Sequence, residues 1–423
     1  MARRVFLSIL GTGRYQPCRY EKDGRIYETK FIQQALLEYL KNCMDWGKEG
    51  DNVVVFLTPE ATEKNWSSED GLEKALQALD VQYAPVAIKG GKSTEEMWSI
   101  FETIFSQLQE EDELYIDITH SFRYLPMLLV VLVNYAKLLK NVSVAGIYYG
   151  NWEASNFGKD VAPVMDLLPL SSLQDWTAAA SDFLQYGQID KLHSLSENSL
   201  RTIMRDPKTR DCNSQTMRSF INNLKYLVDN HLACRGLDII KGKEIGLLRR
   251  GADSIENITI AQLGPIFEKI KSSLKTYGEE NELSNCIKAA RWCYENKLYQ
   301  QCTTLLEEGI ITLLCSSAGL DYTVEEDRDL VNNSIYIMTN NTPEEKWKVR
   351  SEEGKEKIRK IIDEAKGLWK NKEFIETKIN INSLRNDYNH AGFNTKKRKP
   401  STLIQSIYLY LTSIEKILQS YTL

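Results

Sequence analysis

Glu113-Leu114-Tyr115-Ile116-Asp117-Ile118-Thr119-His120-Ser121-Phe122-Arg123-Tyr124-Leu125-Pro126 changes character half-way along. Glu113–Thr119 reads as a buried strand, and Leu125–Leu139 continues as an apolar helix. The same alternation extends outward on both sides. Val5–Leu10, Asp51–Thr58, Ala84–Ile88 and Val142–Tyr149 read as further strands. Phe31–Met44, Glu69–Leu79 and Thr94–Leu108 read as the intervening helices. Strands alternating with helices predict a doubly wound parallel α/β sheet of Rossmann-like type over residues 1–170. Asp23-Gly24 is the expected turn of a hairpin within Arg14–Lys30. Asn151–Asp166 reads as another hairpin on the sheet edge.

In open α/β sheets, ligands lie beyond the carboxyl ends of the strands, so the loops leaving those ends are the candidates. Gly11-Thr12-Gly13 brings backbone close to a ligand, and its amides suit a phosphate. Position 16 is Gln, so the loop is not a full dinucleotide fingerprint. Gly13 is expected to tolerate no large side chain. The second loop packs Thr119, His120, Ser121, Phe122 and Arg123 between strand and helix. Hydroxyls and helix-start amides bind phosphate, and a guanidinium bonds phosphate or stacks on a base. Thr119 or Ser121 could serve simply as a helix cap, but capping does not call for His120 and Arg123 as well.

From Ser171 the pattern is almost wholly helical. Residues 171–280 read as a helical connector, with loops expected at Lys241–Lys243 and Arg249–Asp253. Residues 281–423 read as a second helical domain containing a charged, looser stretch at Asp321–Glu353. Within it lies Asn382-Ser383-Leu384-Arg385-Asn386-Asp387-Tyr388-Asn389-His390-Ala391-Gly392. At about 100° per residue, Asn386 lies about 100° and His390 about 140° around the helix from Arg385. The three are expected to face away from the core side of Ile381, Leu384 and Tyr388. Arg supplies a fork for phosphate oxygens, His moves a proton near neutral pH, and Asn can orient either. A plain solvated polar face accounts for the same three residues. Glu307 and Glu308 read as solvated.

The motifs at the two ends resemble one known architecture. Leu10-Gly11-Thr12-Gly13-x-Tyr15, Asp117-Ile118-Thr119-His120-Ser121-Phe122-Arg123-x-x-Pro126 and Tyr148-Tyr149-Gly150-Asn151-Trp152-Glu153 resemble the CARF domains of CRISPR-associated proteins. So do Asp166-Leu167-Leu168-Pro169 and Leu173-Gln174-Asp175-Trp176, at the expected domain junction. Arg385-Asn386 followed after three residues by His390 resembles the R-x4-H signature of HEPN ribonucleases. Together they resemble the CARF–HEPN ancillary ribonucleases of type III CRISPR systems.

The resemblance implies a cytoplasmic homodimer that binds a cyclic oligoadenylate, cyclic tetra-adenylate first among them, through residues 11–13 and 119–123. It implies cleavage of single-stranded RNA without a metal or other cofactor, leaving a 2′,3′-cyclic phosphate. Arg385 would stabilise charge, His390 would move a proton or hold the phosphate, and Asn386 would orient His390 or the ribose. Two other readings are a ligand-responsive regulator or scaffold without nuclease activity, and a sensor that also degrades its ligand.

Bulk properties bound these readings. The chain has 423 residues, 42% hydrophobic and 26% charged, with a net charge of −5 that argues against coating duplex DNA. From Asn281 onward 21 Lys and Arg face 20 Asp and Glu; before it 32 face 38. The run Lys396-Lys397-Arg398-Lys399 suits either a solvated loop or a nucleic-acid backbone. Eight cysteines form no C-x-x-C pair, and four histidines lack metal-ligand spacing. Gly91-Lys92-Ser93 lacks the first glycine of a phosphate loop, since position 86 is Val. No signal peptide opens the chain, and no apolar run approaches the roughly 20 residues of a membrane span.

Overall fold

The computed structural model describes residues 3–47, 49–120, 124–155, 160–205, 212–254, 264–275, 277–278, 280–349, 351–364, 366–393 and 397–421. The chain divides into two compact units, Met1–Gln174 and Asp175–Leu423.

Among the described residues the first unit contains eight strands: β1 (Arg4–Leu10), β2 (Cys18–Lys22), β3 (Arg25–Thr29), β4 (Asn52–Leu57), β5 (Tyr83–Ala87), β6 (Glu113–Asp117), β7 (Ser143–Gly150) and β8 (Val161–Asp166). Its helices are α1 (Ile32–Met44), the single turn α2 (Pro59–Ala61), α3 (Leu72–Ala78), α4 (Thr94–Ser106) and α5 (Leu125–Lys140). A π turn, Thr62–Trp66, follows α2. The division between the units falls within α6 (Leu168–Tyr186).

One sheet runs in the order β3-β2-β8-β7-β6-β1-β4-β5. The run from β7 to β5 is parallel throughout, as the alternation predicts. The other end departs from expectation. β8 pairs antiparallel with β7 and parallel with β2, so it lies inside the sheet. The edge hairpin is β2–β3, turning at Asp23 and Gly24 with φ of 51° and 77°. Two positive φ values are what a two-residue hairpin loop requires.

Alternation along β1 feeds two cores. Phe6 and Leu10 join α1 and α3 on one face, while Val5, Leu7 and Ile9 join α4 and α5 on the other. β1 lies between β4 and β6, and the direction of progression reverses there. The carboxyl ends of β1 and β6 therefore open side by side at the switch point. The Gly91-Lys92-Ser93 segment is a helix start. The Ser93 hydroxyl accepts the Glu96 amide, and a Cβ on Gly91, at φ 68°, would lie 1.8 Å from the Tyr124 hydroxyl.

The second unit contains α7 (Asp190–Arg205), α8 (Cys212–Leu232), α9 (Gly236–Lys241), α10 (Lys243–Ser254), α11 (Gly264–Ser273), α12 (Asn285–Glu295), α13 (Tyr299–Ser317), α14 (Glu325–Asn340), α15 (Glu352–Asp363), α16 (Lys372–Asn389) and α17 (Pro400–Ser420). α13 is its buried axis, from Cys302 to Cys315. α12 packs closely on it because Gly309 leaves room: a Cβ there would meet Cys286 and Ile287 at 2.9 Å.

Two expected loops are helical. Arg249–Asp253 belongs to α10, and about half of the charged, looser stretch is α14. Charged residues hid an apolar stripe in α14, whose Leu330 and Ile337 pack with Ile358 of α15. Gly242, with φ 62°, does separate α9 from α10. Among the described residues no helix is long and apolar enough to cross a membrane.

Candidate functional sites

In the first unit the carboxyl ends of β1 and β6 are tied by a polar ladder. Gln33 donates to Ser8 Oγ at 3.0 Å, and Ser8 donates to Asp117 Oδ2 at 2.7 Å. Asp117 Oδ1 accepts the Thr119 amide at 2.9 Å, and Thr119 Oγ1 accepts the Gly150 amide at 2.8 Å. Burial raises the Asp117 carboxyl above its ordinary value, while these donors oppose the shift. The ladder fixes the starting geometry of the loops after β1, β6 and β7 together.

Above it opens a cleft of about 380 Å³. Gly11, Thr12, Gly13, Thr119 and His120 all line it, which brings the two expected loops to one site. Ser121, Phe122 and Arg123 lie outside the described residues. Tyr15 stands edge-on to His120, and Asn65 donates to the Gly11 and Gly13 carbonyls at 2.9 Å each. Burial lowers His120 to about 4, so its ring is neutral at physiological pH. His120 Nε2 is buried and meets no hydrogen-bond partner among the described residues.

The glycines differ from expectation. A Cβ on Gly13 meets nothing within 4 Å, whereas one on Gly11 would lie 2.9 Å from the Tyr15 hydroxyl and 3.3 Å from His120 Cβ. Gly11 is the position where the chain itself requires glycine.

The second site lies on α13 and α16. Arg385 does not point away from the protein with Asn386 and His390. Its Nε lies 3.7 Å from Glu307 Oε2 and its Nη2 lies 3.9 Å from Glu308 Oε1. Glu307 is 3% exposed, not solvated. Its Oε1 accepts Asn382 Nδ2 at 2.8 Å and faces Lys378 Nζ at 3.9 Å. Burial raises the Glu307 carboxyl, against the opposing pull of Lys378, Asn382 and Arg385. Glu308 is held separately by Arg328 at 2.5 Å.

Asn386 is exposed and donates to Asn382 Oδ1 at 3.0 Å. His390 is exposed at the C-cap of α16. The helix ends there because Gly392 N bonds Asp387 O at 3.0 Å and Ala391 N bonds Tyr388 O at 2.9 Å, with φ of 51° at Ala391 and 65° at Gly392. The basic run is partly internal, since Arg398 reaches Asp387 at 3.5 Å and Ser383 Oγ at 3.0 Å. Lys397 and Lys399 are exposed, and Lys396 lies outside the described residues. Burial raises the Cys234 thiol, and the charges of Arg235 and Arg385 pull it back. The turn between α8 and α9 thus lies within electrostatic reach of Arg385.

Residues 5–153 match the family described as CRISPR system endoribonuclease Csx1, CARF domain. The first unit is similar to a CARF domain over this stretch. The chain is also similar to the CRISPR-associated protein MJ1674 of Methanocaldococcus jannaschii, 27% identical over 391 residues. That alignment covers 79% of this chain and 57% of the relative, so the chain spans little more than half the relative's length. The second unit lies wholly beyond this match.

Several residues of the first unit's cleft were not singled out from sequence as ligand contacts. Arg14, Tyr15, Gln16, Lys30, Tyr149 and Trp152 line it. Tyr15, Tyr149 and Trp152 stand in the stretches that carry the CARF resemblance, so a signal existed for them. Asn65 had none: it comes from the π turn after α2 and reaches the loop only through the fold. Glu307 was also missed, because a carboxylate on a helix is ordinarily solvated.

Proposed function

We propose that this chain is a cyclic-oligoadenylate-activated, metal-independent endoribonuclease of the CARF–HEPN type, cleaving single-stranded RNA in CRISPR defence. The observation that carries the reading is the pairing of two features on α16. Arg385 sets one edge of its guanidinium against carboxylates, and His390 stands exposed at the turn that ends the same helix. The family matched by residues 5–153 bears an endoribonuclease name, which supports the same class of activity.

In this mechanism the ribose 2′-hydroxyl attacks the adjacent phosphorus and the 5′-oxygen leaves. The 2′-proton is removed, the leaving oxygen gains one, and a 2′,3′-cyclic phosphate remains. Arg385 balances charge on the phosphoryl oxygens. His390 transfers a proton or holds the phosphate, and Asn386 orients His390 or the ribose. A cyclic oligoadenylate, cyclic tetra-adenylate first among the candidates, occupies the CARF cleft. A homodimer would pair two clefts around one symmetric ligand and two α16 helices around one RNA groove. Ligand binding would favour the subunit arrangement that admits RNA.

The test is cleavage of single-stranded RNA with and without cyclic tetra- or hexa-adenylate, in EDTA. Ligand-dependent cleavage that yields a 2′,3′-cyclic phosphate and disappears in His390→Ala is expected. Normal cleavage by His390→Ala, or a strict need for Mg²⁺ or Mn²⁺, would overturn it. Ligand binding without cleavage would favour a regulator or scaffold instead.

A further inference from the structure

The guanidinium of Arg385 is asymmetrically engaged. Its Nε and Nη2 face Glu307 and Glu308, whereas Nη1 has no protein partner among the described residues. Arg385 keeps 32% of its side chain exposed, so the unengaged edge has access to solvent. The Nε end of the engaged edge is dry. Arg385 Nε and Glu307 Oε2 are both buried, each without a hydrogen bond, and they face one another across 3.7 Å.

Such a gap between the buried Nε of a half-buried guanidinium and a buried carboxylate is too long for a hydrogen bond and too close to be indifferent. Glu307 is not free to move away. Asn382 holds its other oxygen at 2.8 Å, and Lys378, itself bonded to Asn332 at 2.5 Å, stands 3.9 Å off. The carboxylate is therefore a fixed post on α13, and the rotatable Arg385 side chain is oriented by it.

We propose that Glu307 is the positioning residue for Arg385, turning the Nη1 edge of the guanidinium toward the scissile phosphate. The proposal rests on the nuclease reading above. A guanidinium is a planar fork, so fixing one edge fixes the direction of the other. Glu307 touches neither substrate nor reacting atoms in this role. Its charge also offsets that of Arg385 before RNA arrives, and the short step from 3.7 Å to hydrogen-bond distance lets the pair tighten when the phosphate binds.

The experiment is a double-mutant cycle on the full-length protein with saturating cyclic tetra-adenylate and a fluorescent single-stranded RNA. Glu307→Gln keeps the shape and the Asn382 contact but removes the charge. Its kcat should fall on the order of tenfold to a hundredfold with KM nearly unchanged, as expected when a group is misplaced without losing substrate. Glu307→Gln should have little further effect in the Arg385→Ala background. Unchanged or raised kcat in Glu307→Gln, while Arg385→Ala abolishes cleavage, would overturn the positioning role alone. Full activity in Arg385→Ala would instead overturn the nuclease reading.

A second measurement covers a Glu307→Gln protein that fails to fold. The Arg385 Nε–Hε resonance of the wild-type protein, assigned by its disappearance in Arg385→Lys, should exchange with water more slowly than those of exposed arginines. Exchange as fast as theirs would overturn the proposal.

Discussion

Tyr15 stands edge-on to His120, with ring centroids 4.4 Å apart and planes at 87°, while its hydroxyl accepts the Gly11 amide at 2.8 Å. One side chain thus joins the loops leaving β1 and β6. Tyr15→Phe keeps the ring contact and orphans the Gly11 amide, which should lower stability by about 1 kcal/mol. Affinity for cyclic tetra-adenylate should fall with it. Denaturation and calorimetry on the same protein check both, and unchanged values in each would remove the tie from the account.

Gly11 and Gly13 should respond differently to alanine. Gly11→Ala forces the Tyr15 hydroxyl or the loop to move and should cost about 1–3 kcal/mol. Gly13→Ala points into open space and should stay within about 0.5 kcal/mol of the parent. Equal losses in urea titrations would contradict the loop geometry.

Stability should fall as pH drops from about 6.5 toward 4, and His231 should carry part of the fall. Both its ring nitrogens are engaged, Nδ1 with the Leu227 carbonyl and Nε2 with the Tyr277 hydroxyl, and burial lowers it to about 4. Between the two pH values the unfolded chain binds a proton that the folded chain refuses, so unfolding gains. The full effect is on the order of 3 kcal/mol, and above pH 6.5 it vanishes. His231→Gln should show a shallower dependence of Tm on pH; superimposable slopes would exclude the residue.

Lys378 is buried beside Glu307, and burial lowers its amine below the ordinary lysine value. Lys378→Met leaves the carboxylate with fewer partners and should destabilise the second unit by about 3 kcal/mol. Lys378→Arg should recover part of the loss. A Met variant as stable as the parent in guanidinium titrations would mean that Glu307 does not depend on this amine.

Ala391 occupies the left-handed position where helices usually place glycine. Ala391→Gly relieves a cost of about 1 kcal/mol, so Tm should rise, with α16 and the His390 cap unchanged. A lower Tm would show that the Ala391 methyl makes contacts worth more than the strain.

The local signals were legible residue by residue. Alternation in Val5–Leu10 and Val142–Tyr149, the Asp23-Gly24 turn and the helical period of Leu125–Leu139 each depend on neighbours a few positions away. They announced the parallel sheet and the loops at its carboxyl ends, and hence where the cleft opens. The α14 helix was obscured because its charges outnumber the apolar stripe that packs on α15. The place of β8 inside the sheet depends on pairing with β2, a contact between distant segments. Glu307 shows the same limit most plainly. A carboxylate on α13 is solvated by default, and it is buried here because Asn382, 75 residues away, and the Lys378 and Arg385 cations come from another helix to meet it. Backbone period is a property of adjacent residues and can be read in line. The partner that makes a buried charge tolerable comes from elsewhere in the chain, and only the tertiary structure brings it there.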